Sequence, residues 1–207
     1  MVAMNALTVT VSIKEGVAGV SSLVQRASGL DPQALVRARS LREGVLEVFV
    51  STPFEVVASR RCAGSVDPDG GVVGASDFLA GGAGANRQAS WPGSLPPASG
   101  FTLVDQVPVD VVRGLADQGH ALARQFNGPL GPPKSLLDQT VLTVEGEGRA
   151  EIPMRMIFAC TSLGLIPGFD APLEIPRHLR VSTCGRWVRL DAPFGTVYRS
   201  SGLSLLV

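Results

Sequence analysis

One stretch of the sequence occurs twice, and that limits the possible folds more than any other feature. VFVSTPFEVVASRR, from Val48 to Arg61, lies without a gap over VRLDAPFGTVYRSS, from Val188 to Ser201. The overlay matches Val48 with Val188, Pro53 with Pro193, Phe54 with Phe194 and Val57 with Val197. Upstream the order is kept. Leu7-Thr8-Val9 recurs as Leu142-Thr143-Val144, Gly29-Leu30-Asp31-Pro32 recurs loosely as Gly168-Phe169-Asp170-Ala171-Pro172, and Val36-Arg37 recurs as Leu179-Arg180. Collinear matches of this kind point to one supersecondary unit used twice.

The physical pattern under the two copies agrees. ALTVTVSI alternates with the two-residue period of a half-buried strand, and GVAGVSSLVQRAS places Val17, Val20, Leu23 or Val24, and Ala27 at helical spacing. Gly29, with Pro32 close behind, is stop chemistry for that helix. ALVRARS, VLEVFVS and EVVASRR, separated by Leu41-Arg42-Glu43-Gly44 and by Thr52-Pro53-Phe54, read as three antiparallel strands. In the second copy TVLTVEGEG reads as a strand and PMRMIFACTSLG as a helix with Pro153 in its first turn. HLRVST, RWVRLD and GTVYRSS then read as three strands, joined at Cys184-Gly185 and Pro193-Phe194-Gly195. The expected fold is α+β: two similar β-α-β-β-β halves with antiparallel sheets, residues 1–62 and 141–207, packed as one globular unit.

Residues 63–140 are expected to join them. Up to about residue 100 this segment is rich in Gly, Pro, Ser and Ala, the composition of an irregular connection. VPVDVVRGLADQGHALARQF follows as a central helix with Val112, Leu115, Gly119, Leu122 and Phe126 on its inner side. After a break from Gly128 to Gly131, PPKSLLDQ can begin a short helical turn with Ser135 as cap and Asp138 three residues on.

GPPKSLLDQTVLTV followed by LRVSTCGRWVRLDAPFGTVYR resembles a group of uncharacterised proteins of high-GC actinobacteria, across most of the chain. The resemblance implies a bacterial cytosolic protein and no activity, cofactor or catalytic residue. The arginine skew fits it: only Lys14 and Lys134 are lysine, which with many Gly and Ala suggests a GC-rich genome.

Composition narrows the classes further. At 45% hydrophobic and 17% charged, the chain buries enough apolar surface to offset ordering entropy. Its net charge is zero, which supplies no global field toward nucleic acid or an anionic membrane. Cys62, Cys160 and Cys184 form no C-x-x-C pair, so a reducing cytoplasm is expected rather than a disulfide framework. The opening MVAMNALTVTVSIKEG has neither the basic start nor the apolar run of a signal peptide, and no run reaches membrane-spanning length.

Candidate chemistry is sparse. GGAGAN, from Gly81 to Asn86, has no Gly-Lys-Ser or Gly-Lys-Thr ending, so a flexible connection is the better reading than a phosphate cradle. His120 and His178 have no companion ligand at metal spacing, although Asp117 stands three residues before His120. Cys184, near Arg180 and Arg186, is set in an expected hairpin turn, where an inert residue is favoured over a reactive thiol. No G-x-S-x-G, H-E-x-x-H or Walker sequence occurs, and no cofactor, metal or catalytic residue is assigned.

Arginine in the strands is the most informative feature. Arg37 and Arg39 share a face of one expected strand, and Arg177, Arg180, Arg186, Arg189 and Arg199 spread over the second half with Asp191 as counterweight. Most carboxylates lie between Asp67 and Glu151, so surface pairing of the acidic middle with basic strands is favoured over a ligand site. Trp91, Trp187, Tyr198 and Phe49 are few for base stacking, which leaves nucleic acid disfavoured. The first reading is a non-enzymatic binding or scaffold protein that self-associates or holds a protein partner. The alternative is a binding protein or enzyme for a small anion, with Arg37, Arg39, Arg180 and Arg189 as ligand contacts at the seam between the halves.

Overall fold

The computed structural model describes residues 7–125 and 132–201. The expectations for Phe126 and for the break at Gly128 to Gly131 lie outside the described residues. The chain forms two compact units: residues 1–53 with 57–94, and residues 54–56 with 95–207.

The first unit opens with strand β1 (Thr8–Glu15) and helix α1 (Val17–Leu30), followed by β2 (Leu35–Arg42), β3 (Val45–Ser51) and β4 (Val57–Asp67). These elements stand where the alternating and helical periods put them. Val20, Leu23, Val24 and Ala27 are the buried stripe of α1, whereas Val17 is half exposed because it stands at the first turn. Gly16 precedes that turn with φ 81°, a left-handed backbone that glycine adopts without steric cost. β2, β3 and β4 pair antiparallel in sequence, and β1 closes on the far end of β4. β3 is buried on both faces from Leu46 to Ser51.

The irregular connection expected from residue 63 to about 100 holds only from residue 91; as far as Ser90 the chain is regular. β4 runs on to Asp67, and β5 (Val72–Gly74), α2 (Ala75–Gly81), β6 (Ala83–Ala85) and a 3-10 turn (Gln88–Ser90) follow. β5 pairs with β2 and β6 with β1. The glycines permit this. Gly82 ends α2 with φ 74°, its N–H bonded to the Phe78 carbonyl, and its own carbonyl accepts the Val11 N–H at 2.7 Å. GGAGAN is thus a helix stop and an edge strand.

The second unit comprises β7 (Thr102–Pro108), α3 (Val109–Gln125), α4 (Lys134–Asp138), β8 (Thr140–Glu145), β9 (Arg149–Pro153), α5 (Met154–Ser162), β10 (His178–Cys184), β11 (Trp187–Ala192) and β12 (Gly195–Ser200). Its main sheet runs β12-β11-β10-β7, antiparallel, and β8-β9 form a separate hairpin. TVLTVEGEG is therefore not one strand. Gly146-Glu147-Gly148 turns the chain, with the Gly146 N–H on the Gly148 carbonyl at 2.9 Å, and β9 stands between β8 and the helix. α5 is buried at every position from Met154 to Cys160, as befits a helix at the centre of a core.

Two local expectations differ in detail. The inner face of α3 is Val109, Val112, Ala116 and Gly119, rotated from the expected one: Leu115 is only partly buried and Leu122 is exposed. Small residues win this face because α5 packs close against it: a side chain at Gly119 would run into Met154 and Phe158. α4 is preceded by Pro133, and Ser135 makes no cap, since it already lies inside the helix.

The order β-α-β-β-β occurs in both units, as β1-α1-β2-β3-β4 and as β9-α5-β10-β11-β12. Their pairings are not identical, for β1 pairs with β4 whereas β9 pairs with β8. The gapless repeat is also not a structural equivalence. Ser51 stands opposite Val57, but Asp191, its match, stands opposite Thr196, and Val197 faces Leu190. The two hairpins differ by one residue of register, enough to exchange the faces of one strand relative to the other.

Candidate functional site

The sheet face of the first unit carries Arg37 and Arg39 side by side on β2, as the strand period requires. Arg39 donates to Glu47 Oε2 at 2.7 Å, and Glu47, only 1% exposed, also accepts the Ser59 hydroxyl at 3.0 Å. The Arg39 guanidinium lies 5.1 Å from the Phe49 ring centroid. Arg37 donates from Nε to the Gly70 carbonyl at 3.1 Å and stands 5.8 Å from the Trp91 ring. Burial, then the neighbouring Arg39 charge, pushes the Arg37 guanidinium below its ordinary pKa.

In the second unit Arg180 and Arg189 occupy paired strands. Arg180 is exposed and opposite Asp191; Arg189 is largely buried and holds Asp191 Oδ2 at 2.9 Å, its guanidinium 4.4 Å from the Phe101 ring. Arg39 thus finds a carboxylate on the adjacent strand and Arg189 one on its own strand. Phe101 in turn meets Tyr198 edge-on at 5.9 Å, which places two of the few aromatics in packing.

The cysteines are free. Cys160 is fully buried in α5 and its thiol is pushed up to about 12 by loss of solvent, which makes it inert. Burial also raises the Cys62 thiol, and Cys184 is partly exposed. Among the described residues no group of three His, Cys, Asp or Glu side chains could hold a metal. No described helix is long and apolar enough to cross a membrane.

Sequence reasoning missed a cavity in the second unit, of about 240 Å³. α3 contributes Arg113, Ala116, Asp117 and His120 at positions i, i+3, i+4 and i+7, one face of the helix. Thr161 from α5 and Ile166, Pro167 and Gly168 from the following loop complete the wall. Arg113 donates to the Pro167 carbonyl and lies 4.1 Å from the Phe169 ring centroid, yet its Nε is buried without an acceptor. His120 stacks on Phe158 at 4.7 Å, nearly parallel. The Thr161 hydroxyl bonds back to the Ile157 and Phe158 carbonyls at 3.2 and 3.3 Å. The only sequence signal for this site was Asp117 three residues before His120; the loop that supplies its other wall has no periodic pattern.

A second cavity, of about 310 Å³, opens in the first unit beside Asp31, Gln33, Ser51, Thr52 and Arg87. Its polar groups are engaged with the fold: Asp31 Oδ1 accepts the Gln33 N–H and Ser51 Oγ the Leu35 N–H, each at 2.8 Å.

These sheets and helices form an α+β fold similar to that of DNA polymerase sliding clamps. A DNA polymerase sliding clamp of Pseudomonas aeruginosa matches with a TM-score of 0.53 at 11% identity, over 97% of this chain and 66% of that one. The β sliding clamp of Caulobacter crescentus matches at 0.55 and 10%, over 96% and 67%. A Helicobacter pylori β clamp bound to a DNA ligase peptide matches at 0.50 and 10%, over 92% and 65%. The chain therefore spans about two thirds of the length of these clamps, and the likeness is one of fold. By sequence, it belongs to the family of DUF8185, a domain of unknown function, which matches residues 96–204. Residues 4–99 match DUF8010, also a domain of unknown function. Both boundaries lie close to the division between Ser94 and Leu95 of the two compact units. No curated protein matches the chain.

Proposed function

We propose that the chain is a non-enzymatic binding or scaffold protein that holds a segment of a partner protein. The observation that carries this reading is the clamp-type fold over more than nine tenths of the chain. One such clamp is seen with a peptide of DNA ligase, so the fold is known to present surfaces to protein segments. The β-α-β-β-β order in both units supports descent of the architecture by duplication, and the resemblance at residues 131–144 and 179–199 supports a cytosolic protein of high-GC actinobacteria. The neutral net charge argues against strong DNA binding, but likeness to clamps of DNA polymerase takes support from that argument, so DNA belongs in the test.

Capture of the full chain from its own cells, followed by reconstitution with the purified partner, tests the reading. A complex of defined stoichiometry in sedimentation is expected. Recovery of no protein that re-forms a complex contradicts it, and a salt-sensitive gel shift with DNA in its place would transfer the chain to a nucleic-acid role.

A second reading, a small-anion binding protein or enzyme, keeps Arg37, Arg39, Arg180 and Arg189 as proposed contacts. Its support is uneven. Arg37 and Arg180 make no ion pair within 4.0 Å among the described residues, whereas Arg39 and Arg189 are neutralised by Glu47 and Asp191.

A further inference from the structure

We propose that the cavity between α3, α5 and the loop after α5 binds a small monocarboxylate that carries a hydroxyl or ammonium group beside its carboxylate. This does not depend on the scaffold reading, since a partner-holding surface and a small-molecule cavity are separate properties.

The argument begins with Arg113. Its guanidinium is clamped from two sides, by the Pro167 carbonyl and the Phe169 ring, so its orientation is set before any ligand arrives. No carboxylate lies within 4.0 Å of it among the described residues, and its Nε–H is buried without an acceptor. A cation that lines a cavity and has no carboxylate partner is matched by an anionic oxygen, and planar carboxylates suit the guanidinium fork. His120, held against Phe158, offers a second ring-nitrogen contact on the same wall.

Asp117 and Thr161 decide what else the ligand carries. Asp117 is an acceptor one helical turn from both Arg113 and His120. The Thr161 hydroxyl spends its proton on the carbonyls behind it, which leaves its lone pairs toward other groups. Two acceptors next to a cation ask for a ligand with an anion at one end and a donor close by. A phosphate dianion brings more negative charge beside Asp117 than a monocarboxylate and is repelled by it more strongly. The cavity is small as ligand sites go, yet larger than the roughly 150 Å³ that admits benzene, so a compact acid fits and a nucleotide does not.

Calorimetric titration of the full chain with glycerate, serine, acetate and inorganic phosphate tests the proposal. Saturable binding of glycerate or serine at millimolar concentration is expected, with acetate about tenfold weaker or more because it lacks the second contact, and phosphate likewise because Asp117 repels its extra charge. Arg113→Lys is expected to weaken the bound acid about tenfold while circular dichroism is unchanged, since lysine keeps the charge and loses the fork. Asp117→Asn is expected to bring phosphate closer to the acids by removing the repulsion. Absence of binding by both acids, equal binding of phosphate by the unaltered chain, or an Arg113→Lys variant that is folded and binds unchanged would each overturn it.

Discussion

Arg155 donates to the main-chain carbonyl of Phe54 at 2.6 Å, closing a separation of 101 residues inside the second unit. The guanidinium is 3% exposed and also holds Glu55 at 2.8 Å and Asp138. A buried arginine in an otherwise apolar helix is retained only if its charge and donors are met, and these three groups meet most of them. Arg155→Ala removes the bond to the Phe54 carbonyl and takes the buried cation from Glu55 and Asp138. A loss of about 3 kcal/mol in urea unfolding is expected. A change below the error of the measurement would mean that the carbonyl finds water instead.

The same cluster sets a pH dependence. The hydrogen bond from Arg155, aided by the charges of Arg155 and Lys134, holds the Glu55 carboxyl below its ordinary value. A depressed folded-state pKa contributes stability above the unfolded value of about 4.3 and loses it as pH falls through the folded value. Stability is therefore expected to drop below about pH 4.3 in part through this group, and Glu55→Gln to flatten that part of the curve. The effect is small, because the Glu55 side chain is 64% exposed. Thermal melts of both proteins between neutral and acid pH measure it.

Glu47 and Arg39 form the buried ion pair of the first unit. Removing one partner strands the other, so Glu47→Leu is expected to cost about 3–5 kcal/mol, whereas Arg39→Met with Glu47→Leu costs less than the single change. A double-mutant cycle by urea unfolding gives the coupling directly. Additive losses would show that the pair acts through packing on Phe49 alone.

Two glycines of α3 separate propensity from packing. A methyl at Gly114 meets nothing within 4 Å, and Gly114→Ala is expected to stabilise by about 0.5–1 kcal/mol through helix propensity. A methyl at Gly119 would stand 2.6 Å from the Met154 sulfur and 2.8 Å from Phe158, and Gly119→Ala is expected to destabilise by about 1–3 kcal/mol. The opposite signs, read as melting temperatures, test the approach of α3 to α5.

What could be read from the residues divides along physical lines. β1, α1, β2, β3 and β4 were legible because each has a clear period and a turn residue at its end, as at Glu43-Gly44 and Thr52-Pro53. α5 and the three strands after β9 were legible for the same reason. β5 and β6 were not. Three-residue strands such as Ala83-Gly84-Ala85 have no period, and the pairing of β5 to β2 and of β6 to β1 comes from backbone bonds that side-chain chemistry does not announce. The hairpin turn at Gly146 hid inside an apparently continuous strand. Arg37 and Arg39 were placed on one face correctly, but the Glu47 that neutralises Arg39 sits in a strand whose apolar run gave no hint of a buried carboxylate. The cavity at Arg113 depends on a loop that only the folded chain brings to α3.

The claim on which the rest stands is that residue 95 onward forms one compact unit whose sheet includes β7, rather than a linker followed by a separate half. Interstrand backbone contacts measured by NMR on the full chain address it directly. Short proton distances between Gln106 and Arg180, with Arg189 in turn opposite Ser182, are the result this fold requires. A stretch from Thr102 to Pro108 that shows no contact with β10 and exchanges its amides like an unstructured chain would contradict it.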